Sequence, residues 1–420
     1  KTMLLFGIAF GLGYKSFLSL YLHHTNLLYF VTGSCFMSRF STVLAFSAAM
    51  LAPMAQAAVV VPSPPTLENK AFVLMDFDSG QILAESNPHE HLAPASLTKM
   101  MTSFLVEQRL LKGQLKEDDP VFMSEKAWCR GTSAESCMYV PVNTSASVLD
   151  MLRGIIIQSG NDASKAVAEH LAGSEEAFAE LMNGEAKHLG MNDTQFKNAT
   201  GLTQEGHYTS AYDMATLAHA IIKDSSKYYP LYSEKEFTYN NIKQGNRNAL
   251  LFTDPTVDGL KTGHTDAAGY CLTASSKRGS MRLISVVMGA NSMQARADQT
   301  RSLLSWGFAN FETAQIRPKN QELAKPVVWF GTADHVTVGL ANDMNVTLPR
   351  GQKDKLQINL QLAPSLNAPL TQGQEVGKIV ATLDGKVVAE QALVTLQPVE
   401  EANFFVRVWH GIKRFFSNLF

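Results

Sequence analysis

Residues 91–100 read HLAPASLTKM, with a serine and a lysine three positions apart at the start of an apolar helical pattern. Pro94 and Ala95 break the preceding chain, and SLTKMMTSFLVEQRLL, 96–111, then repeats its apolar residues with the helical period. On a helix, Ser96 and Lys99 project from the same side. A serine hydroxyl attacks poorly unless a base takes its proton. A lysine serves as that base only when desolvation or a nearby positive charge lowers its pKa. Taken alone, the pair also describes an ordinary helix cap beside a solvated lysine. Its meaning depends on what the rest of the chain brings to it.

Just before this stretch, AFVLMDFDSGQILAES, 71–86, predicts a hairpin with two apolar runs around an Asp-Ser-Gly turn. After it come the helical patterns SVLDMLRGIII and DASKAVAEHLAG, interrupted by QSGN. SEEAFAELMNGEAKHLG opens with a Ser cap and closes on Gly190, and SAYDMATLAHAIIKD is a further amphipathic helix. The texture then changes to three strands, VDGLKTGHT, AAGYCLTASSKRG and MRLISVVMGA, followed by a helix over ARADQTRSLLSWGFANF. A hairpin, a helical middle, strands and a final helix imply an α+β domain, an antiparallel sheet with helices packed on it and a helical lobe inserted. We expect that domain to span 58–313.

From about Ile316 the helical pattern almost disappears. KLQINLQL alternates strictly, and KIVATLDGKVVAEQALV predicts a hairpin about Asp384-Gly385 with a type I′ turn. A small all-β domain is therefore expected over 314–400. The last segment, NFFVRVWHGIKRFFSNLF, places Phe404, Phe405, Val408, Trp409, Ile412, Phe415, Phe416, Leu419 and Phe420 on one helical face. Arg407, His410 and Arg414 fall on the other, with Lys413 at the boundary. An amphipathic helix of this kind is expected to anchor 401–420 in a membrane interface, with 403–420 meeting the lipid surface. The alternative is a helix docked on its own protein.

Composition narrows the classes further. With 420 residues, 45% hydrophobic and 18% charged, the chain describes an ordinary folded protein. A formal net charge of −2 argues against broad capture of nucleic acid. The cysteines, Cys35, Cys129, Cys137 and Cys271, have no Cys-x-x-Cys or His-x-x-x-His companions, so no metal site is expected. Cys129 and Cys137 flank RGTSAES and either close a small disulfide loop or stay as two thiols; Cys271 reads as packing. MSRFSTVLAFSAAMLAPMAQA, 37–57, has Arg39, a short apolar run and an Ala55-Gln56-Ala57 cleavage pattern. It is expected to be a secretory signal, with 1–36 as an upstream extension or, in the rival reading, an extra membrane helix, and export as the consequence.

Two further motifs give Ser96 and Lys99 their context. In QSGND, Ser159 and Asn161 sit in a break between helices, where a serine can relay a proton and an amide can hold a substrate. Ser365-Leu366-Asn367 has the same form but lies in a loop of the β domain. On the first of the three strands, Lys261-Thr262-Gly263-His264 offers a cation, a hydroxyl and a glycine that admits a paired substrate strand. The motifs follow in the order Ser-x-x-Lys, Ser-x-Asn, Lys-Thr-Gly, 63 and then 102 residues apart.

In ASLTKMM, QSGNDA, NRNALL, VDGLKTGHTDAAGY, MRLISVVMG and LLSWGFANFE the chain resembles the low-molecular-mass penicillin-binding proteins. More narrowly, it is similar to D-alanyl-D-alanine carboxypeptidases of the penicillin-binding protein 5 and 6 type. The resemblance implies a β-lactamase/transpeptidase-like fold with Ser96 as acyl-forming nucleophile and Lys99 as its base. It implies Ser159 as proton relay, Asn161 as a positioning amide and Lys261 as electrostatic support. Thr262, Gly263, His264, Arg247 and Arg296 are implied to bind substrate, and the backbone N–H groups of Ser96 and His264 to form the oxyanion hole. The implied substrate is a peptidoglycan stem peptide ending in D-Ala-D-Ala, with β-lactams as covalent inhibitors and no cofactor. The implied location is the periplasmic face of a bacterial inner membrane. Other readings on the same fold are a DD-endopeptidase or a β-lactamase, although no Glu-x-x-Leu-Asn segment accompanies the motifs. A membrane-bound peptidoglycan-binding scaffold is the reading outside enzymes.

Overall fold

In the strand Ala71–Asp76 (β1), Ala71, Val73 and Met75 enter one apolar cluster while Phe72 and Leu74 enter another. Successive residues of a strand point to opposite faces, so a strand buried at every position has cover on both sides. This computed structural model describes residues 61–130 and 135–417. The expected upstream extension and signal segment lie outside the described residues.

β1 pairs with Ile82–Ser86 (β2) across the anticipated turn, in which Asp76 Oδ1 accepts the Ser79 backbone N–H. Val257–Thr265 (β3), Gly269–Arg278 (β4) and Met281–Ala290 (β5) complete an antiparallel five-stranded sheet in the order β2-β1-β5-β4-β3. On one face lie Lys99–Leu111 (α1) and, after the lobe helices named next, Ala211–Asp224 (α5). Met293–Asn310 (α6) covers the other face through Leu303, Leu304 and Phe308. The inserted lobe contains Val148–Arg153 (α2), Asn161–Ala172 (α3) and Glu175–His188 (α4). Ser147, Ser174, Ser210 and Ser292 each cap a helix by accepting a backbone N–H three residues ahead.

Phe311–Arg317 (β6) starts where α6 stops and pairs with Met344–Pro349 (β7). The changeover expected at 313 thus falls inside a strand, because backbone pairing to β7 already begins at Phe311. Gln357–Leu362 (β8), Glu375–Leu383 (β9) and Lys386–Thr395 (β10) then build an antiparallel sheet over a core that includes Val336, Val346, Ile379 and Leu393. Asp384 and Gly385 join β9 to β10 with φ of 50° and 78°, as a type I′ turn requires. Asp76 Oδ2 accepts from Thr313 Oγ1 at 2.5 Å, and Ser79 Oγ lies 2.6 Å from Thr347 Oγ1. These bonds tie the hairpin turn of the large sheet to β6 and β7.

Phe404–Ser417 (α7) ends the described chain. On the expected polar face His410 turns inward, only 7% exposed. Its Nδ1 accepts the Phe330 backbone N–H at 2.9 Å, while Phe405 on the other face is 82% exposed. Among the described residues no helix is long and apolar enough to cross a membrane.

Candidate active site

Ala95–Thr98 forms a tight helical turn that runs directly into α1. Ala95 takes a φ of 48°, a left-handed value for a residue with a side chain, and so turns Ser96 out at the mouth of the sheet. Lys99 follows, fully buried. Its Nζ lies 3.1 Å from Ser96 Oγ, 2.7 Å from Asn161 Oδ1 and 2.6 Å from the Thr200 carbonyl oxygen. Burial lowers its pKa to about 7, and the charge of Arg247 adds to that shift. A neutral amine keeps two N–H bonds and one lone pair. Asn161 Oδ1 and the Thr200 carbonyl only accept, so they take the two hydrogens. The lone pair is left for the one partner able to donate, the Ser96 hydroxyl.

The second motif enters from the break between α2 and α3. A wide helical turn, Gly154–Gln158, ends at Ser159 with φ 65°, again left-handed. Ser159 is 2% exposed, and its Oγ meets no hydrogen-bonding partner among the described residues. Buried hydroxyls are ordinarily satisfied, so one that is not calls for an explanation. Asn161 begins α3, and its backbone N–H donates to the Ser136 carbonyl at 2.7 Å.

β3 supplies the third wall. Lys261 is buried with Nζ 3.1 Å from the Thr262 carbonyl oxygen. Burial pushes its pKa well down, and the charges of Lys99, Arg247 and Arg296 push it further. Gly263 allows the strand to pass the nucleophile turn, since a Cβ there would sit 3.1 Å from the Pro94 carbonyl oxygen and 3.2 Å from Ala95 Cβ. Its carbonyl accepts from Arg296 Nη1 at 3.1 Å. His264 is exposed, and its ring stacks on Tyr270 with centroids 4.0 Å apart.

Two clefts flank Ser96. One, of about 330 Å³, is lined by Ser159, Arg247, Thr262 and Arg296 as well as Ser96, so it is rich in cations and hydroxyls. The other, of about 490 Å³, is walled by Asn161, Thr200, Gly201, Leu202 and Asp266. A carboxylate suits the first and an extended peptide the second. All ten residues expected at the site therefore border one region or bond to residues that do. No cluster of His, Cys, Asp and Glu suited to a metal occurs among the described residues.

Four contributors escaped sequence reasoning. The Thr200 acceptor is a backbone carbonyl, which no side-chain pattern announces. Glu135 and Ser136 line the cation-rich cleft because Cys129 and Cys137 are disulfide-bonded and Asp162 accepts the backbone N–H groups of Met138 and Tyr139. Tyr270 reaches the same cleft through strand register, opposite His264. Cys271 is buried and free, as a packing residue would be.

A serine hydroxyl facing a desolvated amine, between a cation-rich cleft and a larger one, is an arrangement suited to acyl transfer through serine. Comparison with known proteins gives the class a family. The D-alanyl-D-alanine carboxypeptidase model of peptidase family S11 matches residues 58–292, and the penicillin-binding protein 5 C-terminal domain model matches 311–401. D-alanyl-D-alanine carboxypeptidase DacA of Escherichia coli K12 is 42% identical over 366 residues, 86% of this chain and 91% of the relative. Penicillin binding protein 5 of Haemophilus influenzae superposes with a TM-score of 0.78 at 42% identity, covering 81% of this chain and all of that one. Penicillin-binding protein D2 of Listeria monocytogenes, in its ampicillin-bound form, matches 59% of this chain and all of its own with a TM-score of 0.54 at 29% identity. The chain belongs to the D-alanyl-D-alanine carboxypeptidase family.

Proposed function

We propose that this protein removes the terminal D-alanine from peptidoglycan pentapeptide stems through an acyl-enzyme on Ser96. The observation that carries the reading is the set of partners around Lys99, two that only accept and one, Ser96, that can donate. Lys99 takes the hydroxyl proton as Ser96 Oγ bonds to the carbonyl between the two D-alanines. The C–N bond then breaks, and the leaving nitrogen receives a proton through Ser159, whose buried Oγ has no other partner among the described residues. Lys261 supports the electrostatics around Ser159, and Asn161 fixes both Lys99 and the substrate amide. Thr262, Arg247 and Arg296 take the terminal carboxylate. Gly263 and His264 pair with the peptide backbone, with the N–H groups of Ser96 and His264 on the developing oxyanion. Water finally cleaves the ester and frees Ser96.

A β-lactam copies the D-Ala-D-Ala carbonyl but stays tethered after ring opening, so it traps Ser96. The ampicillin held by the Listeria relative supports that expectation. In the same reading, residues 58–310 form the catalytic domain, 311–400 the all-β domain and 401–420 the anchor. The exported protein lies on the periplasmic side of the inner membrane, with the exposed Phe404, Phe405 and Trp409 in the lipid interface.

Mass spectrometry after treatment with penicillin tests the central claim. The expected result is one adduct, on the peptide containing Ser96, absent from Ser96→Ala. No adduct, or an adduct elsewhere, overturns it. D-alanine release from a pentapeptide, measured beside opening of a cross-linked dimer, separates carboxypeptidase from endopeptidase.

A further inference from the structure

Thr98 stands between Ser96 and Lys99 in the nucleophile turn, and it is fully buried. Its Oγ1 lies 2.9 Å from His207 Nε2. The other ring nitrogen, Nδ1, accepts the Lys197 backbone N–H at 3.0 Å. A backbone N–H can only donate, so Nδ1 must present its lone pair, and the proton of the neutral ring resides on Nε2. From there it donates to Thr98 Oγ1. The two neighbours together dictate a single tautomer. His207 is 6% exposed, and burial first, then the charge of Lys197, lowers its pKa to about 4. The imidazolium form would also lose the acceptor that Lys197 needs.

Lys197 and His207 lie at the base of a loop closed by Gln195 and Tyr208, which exchange backbone hydrogen bonds of 2.9 and 3.0 Å. Inside it, Asn198 Oδ1 accepts the N–H groups of Thr200 and Gly201 and so aims the Thr200 carbonyl. That carbonyl is the 2.6 Å partner of Lys99 Nζ, and the loop tip walls the larger cleft. His207 therefore bridges two pieces of backbone, the turn that carries the base and the loop that orients it.

We propose that His207 is a positioning residue for proton transfer from Ser96 to Lys99, acting as a fixed Nε2–H tautomer that locks the nucleophile turn to the 195–208 loop. It touches neither substrate nor reacting atoms. Its work is to keep the Thr200 carbonyl where it claims one hydrogen of Lys99, so that the amine lone pair stays on Ser96. The proposal rests on the reading of Lys99 as the base.

Two measurements on the full chain test it. The first needs no substrate and does not depend on the role of Lys99: long-range 15N–1H correlation of the His207 ring. A neutral Nε2–H pattern from pH 6 to 8 is expected; an Nδ1–H tautomer or an imidazolium in that range overturns the proposal. The second is the rate constant for acylation by a fluorescent penicillin, per acylable molecule. His207→Phe keeps a ring of similar size but removes both bonds, and should slow acylation roughly tenfold or more. His207→Gln, which returns a donor to Thr98, should recover most of that rate. Acylation within twofold of wild type in His207→Phe, or no recovery in His207→Gln, overturns the assignment.

Discussion

The catalytic cleft and the C-terminal helix invert the ordinary partition of side chains in opposite senses. In the cleft, two lysines are buried, Lys99 at 0% and Lys261 at 2% exposure. On α7 the large aromatics Phe404, Phe405 and Trp409 are 69%, 82% and 56% exposed. A buried ammonium and an exposed aromatic patch are each unfavourable in an isolated water-soluble protein. The difference lies in what relieves them. On the proposed mechanism Lys99 is relieved internally, by giving up its proton to become a base. On α7 the polar side docks through His410, and Phe404, Phe405 and Trp409 are left turned outward. On the proposed function, the first inversion serves chemistry and the second serves an external surface.

The sharpest way to break this contrast is to remove the nucleophile. Ser96→Ala should reduce D-alanine release by about 10⁴-fold or more and abolish the penicillin adduct, while vesicle binding stays intact. A retained adduct would sever the link between the buried lysine and acyl chemistry.

The pH profile comes next. In the proposed role of base Lys99 has to be neutral, and burial lowers its pKa to about 7. The acylation rate should therefore fall by about tenfold per unit as pH drops below about 7, and level off above it. Stopped-flow acylation from pH 5 to 9 measures this, and a limb near the ordinary lysine value would mean that desolvation has not prepared the base.

Truncation after Glu400 tests the other side of the contrast. Cosedimentation with anionic vesicles should be lost, while hydrolysis of a small peptide should stay within about twofold of the full chain. Binding that persists in the truncated protein would locate the membrane contact elsewhere. The smallest effect should follow reduction of Cys129–Cys137, which are eight residues apart. A loop that short contributes about 2.5 kcal/mol, so calorimetry should show a fall of a few degrees in the thermal midpoint.

Much of this was legible without coordinates, because it rests on local patterns. Apolar runs between Gly-rich turns announced β3, β4 and β5, a serine cap announced α4, and Asp384-Gly385 announced its own turn. What the pattern could not carry is proximity between distant segments. Ser159-Gly160-Asn161 and Ser365-Leu366-Asn367 look alike as text. Yet Asn161 Oδ1 meets Lys99, whereas Asn367 Oδ1 meets Arg414 of α7. His410 was assigned to the solvent side by helical period, but a fold partner, Phe330, claimed it.

By itself, then, the amino-acid order determined the elements, the sequence of the three motifs and the residue types able to do serine chemistry, since each follows from spacing and side-chain character. Only the tertiary structure decided that Lys99 is dry, that a backbone carbonyl at Thr200 consumes one of its hydrogens, and that His207 braces the turn from more than a hundred residues away. The reason is physical. Desolvation and hydrogen-bond geometry belong to the space that several segments enclose, and no single segment contains that space.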